Sequence, residues 1–185
     1  NSAPAYLRTH PLTSDRITEM EGRVMQLPYR QVPDSLDFLL VRAKLRVGKQ
    51  VSPELLGELE ASVKREGASA AAHYALVRAY LGARRMGEAE RAMVALRKLA
   101  PSSAMIEGLE ADLLLARGDH AGAARAFREG RGRFPQSLRL LYGEATALID
   151  AGRPAEALAL VKAEILTTPD NGFLWEVRSR AESVL

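Results

Sequence analysis

The side chains that could carry metal or nucleophilic chemistry are few in this sequence. It contains no cysteine and three histidines, His10, His73 and His120. A zinc site on one helix needs two histidines about one turn apart, and a thiolate site needs cysteine. None of the three histidines has such a partner, and no catalytic dyad or phosphate-binding loop is evident. We therefore expect this chain to carry no catalytic residues, no metal site and no cofactor. His73 is predicted to pack in a core, and His120 to lie solvated in a turn.

The charged residues also limit the kinds of partner. The chain has 26 Lys and Arg against 23 Asp and Glu, a formal charge of +3. The densest basic run lies on one predicted helix and its flanks and comprises Arg117, Arg125, Arg128, Arg131 and Arg133. Single-stranded RNA binding would need aromatic residues interleaved for stacking, and few occur there. We interpret these arginines as solvated surface and expect no nucleic-acid partner. No apolar run approaches the ~18 residues of a membrane span, so we expect no membrane insertion.

The elements that must position any site follow from a repeat. Three sets of residues recur at intervals of 34 positions. They are Pro101, Pro135 and Pro169; Ala89, Ala123 and Ala157; and Tyr80, Leu114 and Leu148. A period of about 34 residues in helix-forming sequence is typical of tetratricopeptide repeats, in which each unit is a pair of antiparallel helices, A and B. The alanine allows helix B to pack closely on helix A, and the proline ends the unit. The sequence therefore resembles that repeat family over residues 34–185.

The predicted fold is an all-α solenoid of about four helical hairpins and a terminal capping helix. The first repeat begins at Asp34 and carries two extra residues in the Val47–Val51 turn; its second helix ends at Gly67. The later repeats run over Ala70–Pro101, Ala104–Pro135 and Leu138–Pro169. Phe173–Leu185 is then either a cap or a truncated fifth repeat. Residues 1–33 do not fit the repeat and contain one predicted helix whose apolar stripe is Ile17, Met20, Val24 and Leu27. That helix must dock on the first repeat or belong to a neighbouring domain, because a single short helix is unstable alone.

A binding groove is predicted on the A helices. In such superhelices, positions 2, 5, 9 and 12 of helix A face the concave side. Position 9 places Arg42 and Arg78 one repeat apart, which suits a carboxylate or an acidic side chain. Their alternative is an ion pair with a neighbouring acid such as Glu107 or Asp112. The predicted peptide-binding residues are Phe38, Arg42, Leu45, Tyr74, Arg78, Leu81, Leu115, Tyr142 and Ile149.

The first residues resemble a second family. Tyr6-Leu7-Arg8-Thr9-His10-Pro11 followed by Arg16-Ile17 is similar to a motif of the BepA-like, HtpX-related zinc metallopeptidases. In that family the motif ends the catalytic domain and is followed by a helix and then by tetratricopeptide repeats. The resemblance implies that residues 1–33 are the tail of a peptidase domain. It also implies that His10 lies near the zinc of the full-length enzyme. The family's catalytic His-Glu-x-x-His motif does not occur in this sequence.

The resemblance implies a non-catalytic protein–protein interaction domain. The expected role is substrate or partner docking for a periplasmic zinc metallopeptidase that acts in outer-membrane protein assembly and quality control. Its expected partners are a protein or peptide ligand and its own peptidase domain. Two alternatives stay open at this stage. The chain could be a free-standing scaffold or adaptor, or it could be an autoinhibitory domain that folds over the peptidase cleft.

Overall fold

The structure is a computed structural model that describes residues 13–26, 32–48, 50–65, 67–100 and 102–185. Within these ranges every regular element is an α-helix, and the predicted all-α class is confirmed. The helices are α1 (Thr13–Gln26), α2 (Leu36–Val47), α3 (Pro53–Val63), α4 (Ala70–Gly82), α5 (Met86–Leu99), α6 (Ala104–Ala116), α7 (His120–Arg133), α8 (Leu138–Asp150), α9 (Pro154–Ile165) and α10 (Gly172–Ser183).

The chain divides into two compact units between Asp34 and Ser35. The first unit contains α1, on which Ile17, Met20 and Val24 are each more than half exposed. Leu27 and the segment with His10 lie outside the described residues.

The second unit, Ser35–Leu185, is the helical solenoid. Its A helices are α2, α4, α6, α8 and α10, and its B helices are α3, α5, α7 and α9. Each A helix contacts the next A helix, and each B helix contacts the A helix that follows it. Such stacking buries apolar side chains between neighbouring repeats.

The connections within the hairpins follow the predicted register. Residues 83–85, 117–119 and 151–153 join the later pairs, whereas residues 48–52 join α2 to α3 with the two extra residues expected. Gly118 and Gly152 have φ of 81° and 73°, a region that favours glycine. Arg84 occupies the same repeat position and adopts φ of 56°. The tight turn is therefore kept in the second repeat at the cost of backbone strain.

Two predicted boundaries of the first repeat are wrong by a few residues. Ser35, rather than Asp34, caps α2, and its Oγ accepts a hydrogen bond from the backbone N–H of Phe38 at 3.2 Å. Helix α3 ends at Val63 instead of continuing to Gly67, which has φ of 73° in the connection to α4. The second hairpin begins where predicted, because Ser69 caps α4 and Ala70 is its first residue.

The core confirms the expected role of the small repeat residues. Ala89, Ala123 and Ala157 are fully buried. Phe127 is also fully buried, and a Cβ added to Gly143 of α8 would lie 2.3 Å from Cε1 of its ring. Glycine is therefore required at residue 143 to seat this aromatic side chain between α7 and α8. The buried residues form two clusters, one over α2–α6 and one over α6–α10, so both include residues of α6.

Candidate functional site

The predicted groove residues are distributed over the A helices at very different depths. Leu45 and Phe38 are 74% and 51% exposed, whereas Tyr74 and Ile149 are 3% and 8% exposed. Arg42 is exposed, and Arg78, Leu81, Leu115 and Tyr142 are half-buried. Repeat position thus gives the helix face on which a residue lies, but not how much of its side chain can reach a ligand. Ligand contact at these residues stays a prediction.

The structure brings two of the predicted residues together in one cavity. Arg78 and Leu81 line a space of about 340 Å³ bounded by α4, α6 and the end of α2. The other lining residues are Val47, Gly48, Val51, Gly82, Asp112 and Ala116. Gly82 allows Val51 to approach α4 closely beside this space, because a Cβ added at residue 82 would lie 3.0 Å from Cγ2 of Val51. Three consecutive repeats therefore contribute to the site, hereafter the A-face cavity.

A charged cluster surrounds the A-face cavity. Asp112 of α6 accepts a hydrogen bond from Arg139 of α8, so its charge is compensated. Nε of Arg78 is buried and has no hydrogen-bond partner among the described residues. Burial raises the pKa of the Tyr74 hydroxyl above its usual value, while the nearby positive charges of Arg78 and Arg139 oppose part of that rise. The cluster carries two arginines against one aspartate and is net positive.

Aromatic residues occupy both ends of the A-helix series. The guanidinium of Arg42 lies 5.7 Å from the ring centroid of Phe38, within cation–π range. At the other end, the rings of Tyr142 and Phe173 are 5.8 Å apart, and Phe173 is 67% exposed. The hydroxyl oxygen of Tyr142 is buried without a hydrogen-bond partner among the described residues. Phe173 was not among the predicted site residues, although it lies at position 2 of the last A helix, one of the groove positions.

A second cavity, larger than the A-face cavity, involves the B helices α5 and α7 together with the A helix α6. It measures about 620 Å³ and lies between α5, α6 and α7. Met93, Leu113, Leu114 and Ala126 supply apolar lining. Eight charged residues complete its lining with four charges of each sign; they are Glu90, Arg97, Lys98, Glu107, Glu110, Arg117, Glu129 and Arg133. The charges that line this larger cavity are balanced, and most of them are paired with one another.

The basic run on α7 and its flanks is not simply solvated surface, as the sequence had suggested. Arg128 and Arg131 donate hydrogen bonds to Glu144 of α8, at 2.7 and 2.8 Å. Arg133 bonds Glu107, and Arg117 pairs with Glu90. These arginines therefore compensate carboxylates, two of which are buried: Glu107 and Glu144 are 4% and 1% exposed.

The same pairs bear on the alternative interpretation of Arg78, in which a neighbouring acid neutralises it. Glu107 bonds Arg97 and Arg133, and Asp112 bonds Arg139. Neither acid forms an ion pair with Arg78 in the described part of the chain. An ion pair with Glu107 or Asp112 is the alternative role that the sequence suggests for Arg78. The structure does not support that alternative.

The histidines differ partly from expectation. His73 is half-buried in α4, with Nδ1 3.2 Å from the backbone oxygen of Ser69. His120 begins α7 and is half-buried; its Nδ1 is buried without a hydrogen-bond partner among the described residues, so the prediction of a solvated side chain is wrong. No cluster of three or more potential metal ligands occurs within the described ranges.

No helix in those ranges has the length and apolar character to cross a bilayer.

Comparison with known proteins agrees with the repeat and with the resemblance of the first residues. Residues 114–179 match the family model described as tetratricopeptide repeat. The chain is 25% identical over 187 residues to the Beta-barrel assembly-enhancing protease of Escherichia coli K12, an alignment that covers 98% of this chain and 38% of that protein. The protein of the same name from Yersinia pestis is 24% identical over 185 residues, covering 96% of this chain and 37% of the relative. The chain thus spans less than two-fifths of the length of these relatives.

Proposed function

We propose that residues 34–185 form the protein-docking domain of a periplasmic zinc metallopeptidase that acts in outer-membrane protein assembly. The relatives support this proposal through their name, which describes a protease that enhances β-barrel assembly, and through an alignment that runs along nearly the whole chain. The helical repeat supports a binding role rather than a catalytic one, because stacked hairpins present a broad and pre-formed surface. Residues 1–33 are the tail of the peptidase domain in this proposal, and His10 lies near its zinc.

The observation that carries the proposal is the chemistry of the A-helix face. Arginine and aromatic residues dominate the binding energy of protein interfaces. This face carries exposed Phe38 and Phe173 at its two ends, and half-buried Arg78 between them. A partner segment laid along the A helices would cover the aromatic rings and reach the positive cluster at the A-face cavity.

The test uses the full-length protein with Arg42→Ala/Arg78→Ala and measures the partner recovered by crosslinking. Arg128 and Arg131 are unsuitable as a control pair because they compensate the buried Glu144. Arg91 and Arg125 are matched controls: both are exposed, both lie at the same position of a B helix, and no ion pair of theirs occurs among the described residues. Loss of the partner in the A-face variant with retention in Arg91→Ala/Arg125→Ala supports docking. The opposite pattern contradicts it.

A second measurement separates docking from the two alternatives. Proteolysis by the full-length protein is compared with that of a protein lacking residues 34–185. Docking predicts slower cleavage of a folded assembly partner and unchanged cleavage of a short unstructured peptide. Faster cleavage of both substrates indicates autoinhibition instead, and no change in either indicates an independent scaffold.

A further inference from the structure

We infer that the larger cavity between α5, α6 and α7 is a second docking site, which binds an amphipathic helix of a protein partner. The partner helix carries aliphatic side chains on the face that enters the cavity. It carries an acidic residue on the flank beside α5 and a basic residue on the flank beside α7. The larger cavity shares no lining residue with the A-face cavity, so this site goes beyond the proposed A-face docking and does not depend on it.

The larger cavity exists because the second and third repeats pack less closely than the third and fourth. At the later joint, the ring of Phe127 on α7 sits over Gly143 of α8, where no side chain is in the way. The residues 34 positions earlier are Met93 on α5 and Leu109 on α6. Leu109 has a side chain where Gly143 has none, and α5 packs less extensively on α6 than α7 does on α8. The joint that the chain fills with its own aromatic ring is therefore left open one repeat earlier.

The middle of the larger cavity is apolar. Met93 and Val94 of α5 face the same space as Leu113, Leu114 and Ala126. Val94 is 59% exposed, so part of this surface is accessible from solvent. Methionine adapts readily to partners of different shape, and a helix laid in a groove anchors itself through apolar side chains three or four positions apart. A volume of about 620 Å³ holds several such side chains.

Two charges on the rim specify the flanks of the occupant. Most lining charges are paired with one another, so they need no counter-charge from a ligand. Lys98 of α5 and Glu129 of α7 also line the cavity, are exposed, and have no ion pair in the described part of the chain. A helix between these two walls complements both charges with an acid on one flank and a base on the other. A lipid acyl chain would compensate neither charge, and a nucleic acid would be repelled by Glu129.

The test titrates synthetic helical peptides into the 185-residue chain with isotope-labelled methionine methyl groups. The mixed-flank peptide has leucines on one face, glutamates on one flank of that face and lysines on the other. Two further peptides carry the same leucines with glutamates on both flanks or lysines on both. We expect the mixed-flank peptide to bind most tightly and to shift the methyl resonance of Met93 saturably. No shift of Met93, or equal binding of the three peptides, overturns the assignment.

Two control peptides test whether the occupant is an apolar helix. One has glutamines in place of the leucines, and the other has a central proline that prevents a continuous helix. Both should bind at least roughly tenfold more weakly than the mixed-flank peptide, because each loses apolar anchors in the cavity. Equal binding of the glutamine peptide refutes the apolar site, and equal binding of the proline peptide refutes the helix in favour of an extended segment.

Two substitutions in the lining test the site from the side of the protein. Ala126→Phe fills the cavity and Val94→Asn removes exposed apolar surface, so each should weaken binding of the mixed-flank peptide roughly tenfold. Leu99→Asn is the matched control, because Leu99 is also exposed on α5 but lies outside the lining, and it should bind like the parent. Undiminished binding by either folded cavity variant overturns the assignment.

Lys98→Glu should change the preference between peptides without removing the site. It places an acid on each wall, so the peptide with lysines on both flanks should now bind more tightly than the mixed-flank peptide. Arg91→Glu makes the same change of charge on α5 outside the lining and should keep the preference of the parent. An unchanged preference in Lys98→Glu contradicts the assignment of the flanks.

The outcomes distinguish this site from docking on the A helices. Peptide binding at Met93, together with a partner that is unaffected by Arg42→Ala/Arg78→Ala, keeps this site and refutes A-face docking. Absence of peptide binding, together with loss of the partner in Arg42→Ala/Arg78→Ala, refutes this site alone.

Discussion

Arg131 donates a hydrogen bond from Nε to Oε2 of Glu144 at 2.8 Å, across the joint between the third and fourth repeats. Arg128 donates to the other carboxylate oxygen at 2.7 Å. Glu144 is 1% exposed, while both arginine side chains retain contact with water. The joint therefore depends on a buried carboxylate held by two partly exposed cations.

This arrangement predicts an asymmetric response to substitution. Arg128→Ala/Arg131→Ala leaves a buried carboxylate uncompensated and should lower the free energy of unfolding by about 2–3 kcal/mol. Glu144→Leu should stay within about 1 kcal/mol of the parent, because the arginines can be solvated and an apolar side chain suits the site. Leu76 already occupies the corresponding position of the second repeat and is buried. Urea unfolding measures the free energy of unfolding of both variants. A larger loss of stability from Glu144→Leu than from Arg128→Ala/Arg131→Ala would contradict this account.

Replacing Arg84 with glycine should stabilise the protein. It adopts φ of 56° at the turn position where Gly118 and Gly152 occur in the next two repeats. Arg84→Gly should raise the free energy of unfolding by about 0.5–1 kcal/mol, because it relieves the left-handed strain. Arg84→Ala is the control and should give no gain, since its Cβ remains. An equal gain from alanine would show that the arginine side chain, rather than the backbone conformation, is unfavourable.

Ala123 tests the packing of helix pairs. It is fully buried in α7, and a larger side chain there should cost about 1–3 kcal/mol. Ala163 is exposed on α9, so Ala163→Leu should leave the stability nearly unchanged. Thermal or urea unfolding compares the two variants with the parent. An Ala123→Leu protein as stable as Ala163→Leu would mean that the repeat register is wrong.

The ion pairs of Glu107 lead us to expect that the stability of the protein depends on pH. Its burial alone would raise its pKa, but the ion pairs with Arg97 and Arg133 outweigh burial and place the pKa below its ordinary value. The stabilisation is therefore fully present above the ordinary pKa of a glutamate, about 4.3, and is lost as pH falls through the lower folded-state value. Urea unfolding between pH 7 and pH 3 should show that the free energy of unfolding falls more steeply with decreasing pH for the parent than for Glu107→Gln. Glu176→Gln, at an exposed position on α10, is the control and should follow the parent; identical slopes for all three proteins would contradict the prediction.

The helical framework could be predicted because its signals are local. The 34-residue recurrence of alanines and prolines specifies where each hairpin starts and ends, and the two extra residues of the first turn follow from the shifted repeat. The depth of the groove residues could not be predicted in the same way. Tyr74 and Tyr142 share a repeat position, yet only Tyr74 is nearly fully buried, because burial depends on what neighbouring repeats place beside it.

The ion pairs between repeats were not predicted, although some of the charged residues that form them recur with the 34-residue period. Arg97 and Arg131 are separated by 34 positions, as are Glu110 and Glu144. The pairs Arg97–Glu110 and Arg131–Glu144 are both present in the structure. Polar residues that recur with the same period as the core residues thus indicate compensated charges rather than solvated surface. The Asp112–Arg139 pair has no such repeat, so sequence alone could not reveal it.

Docking on the A-helix face is tested most directly by site-specific photo-crosslinking in the full-length protein. A photoreactive phenylalanine analogue replaces Leu45, which is 74% exposed on α2, or Val94, which is 59% exposed beside the larger cavity on α5. We expect a protein partner to be captured from Leu45, and this capture to be lost with Arg78→Gln but kept with Arg91→Ala. Capture from Val94 alone, unaffected by Arg78→Gln, would contradict the account and assign docking to the B helices.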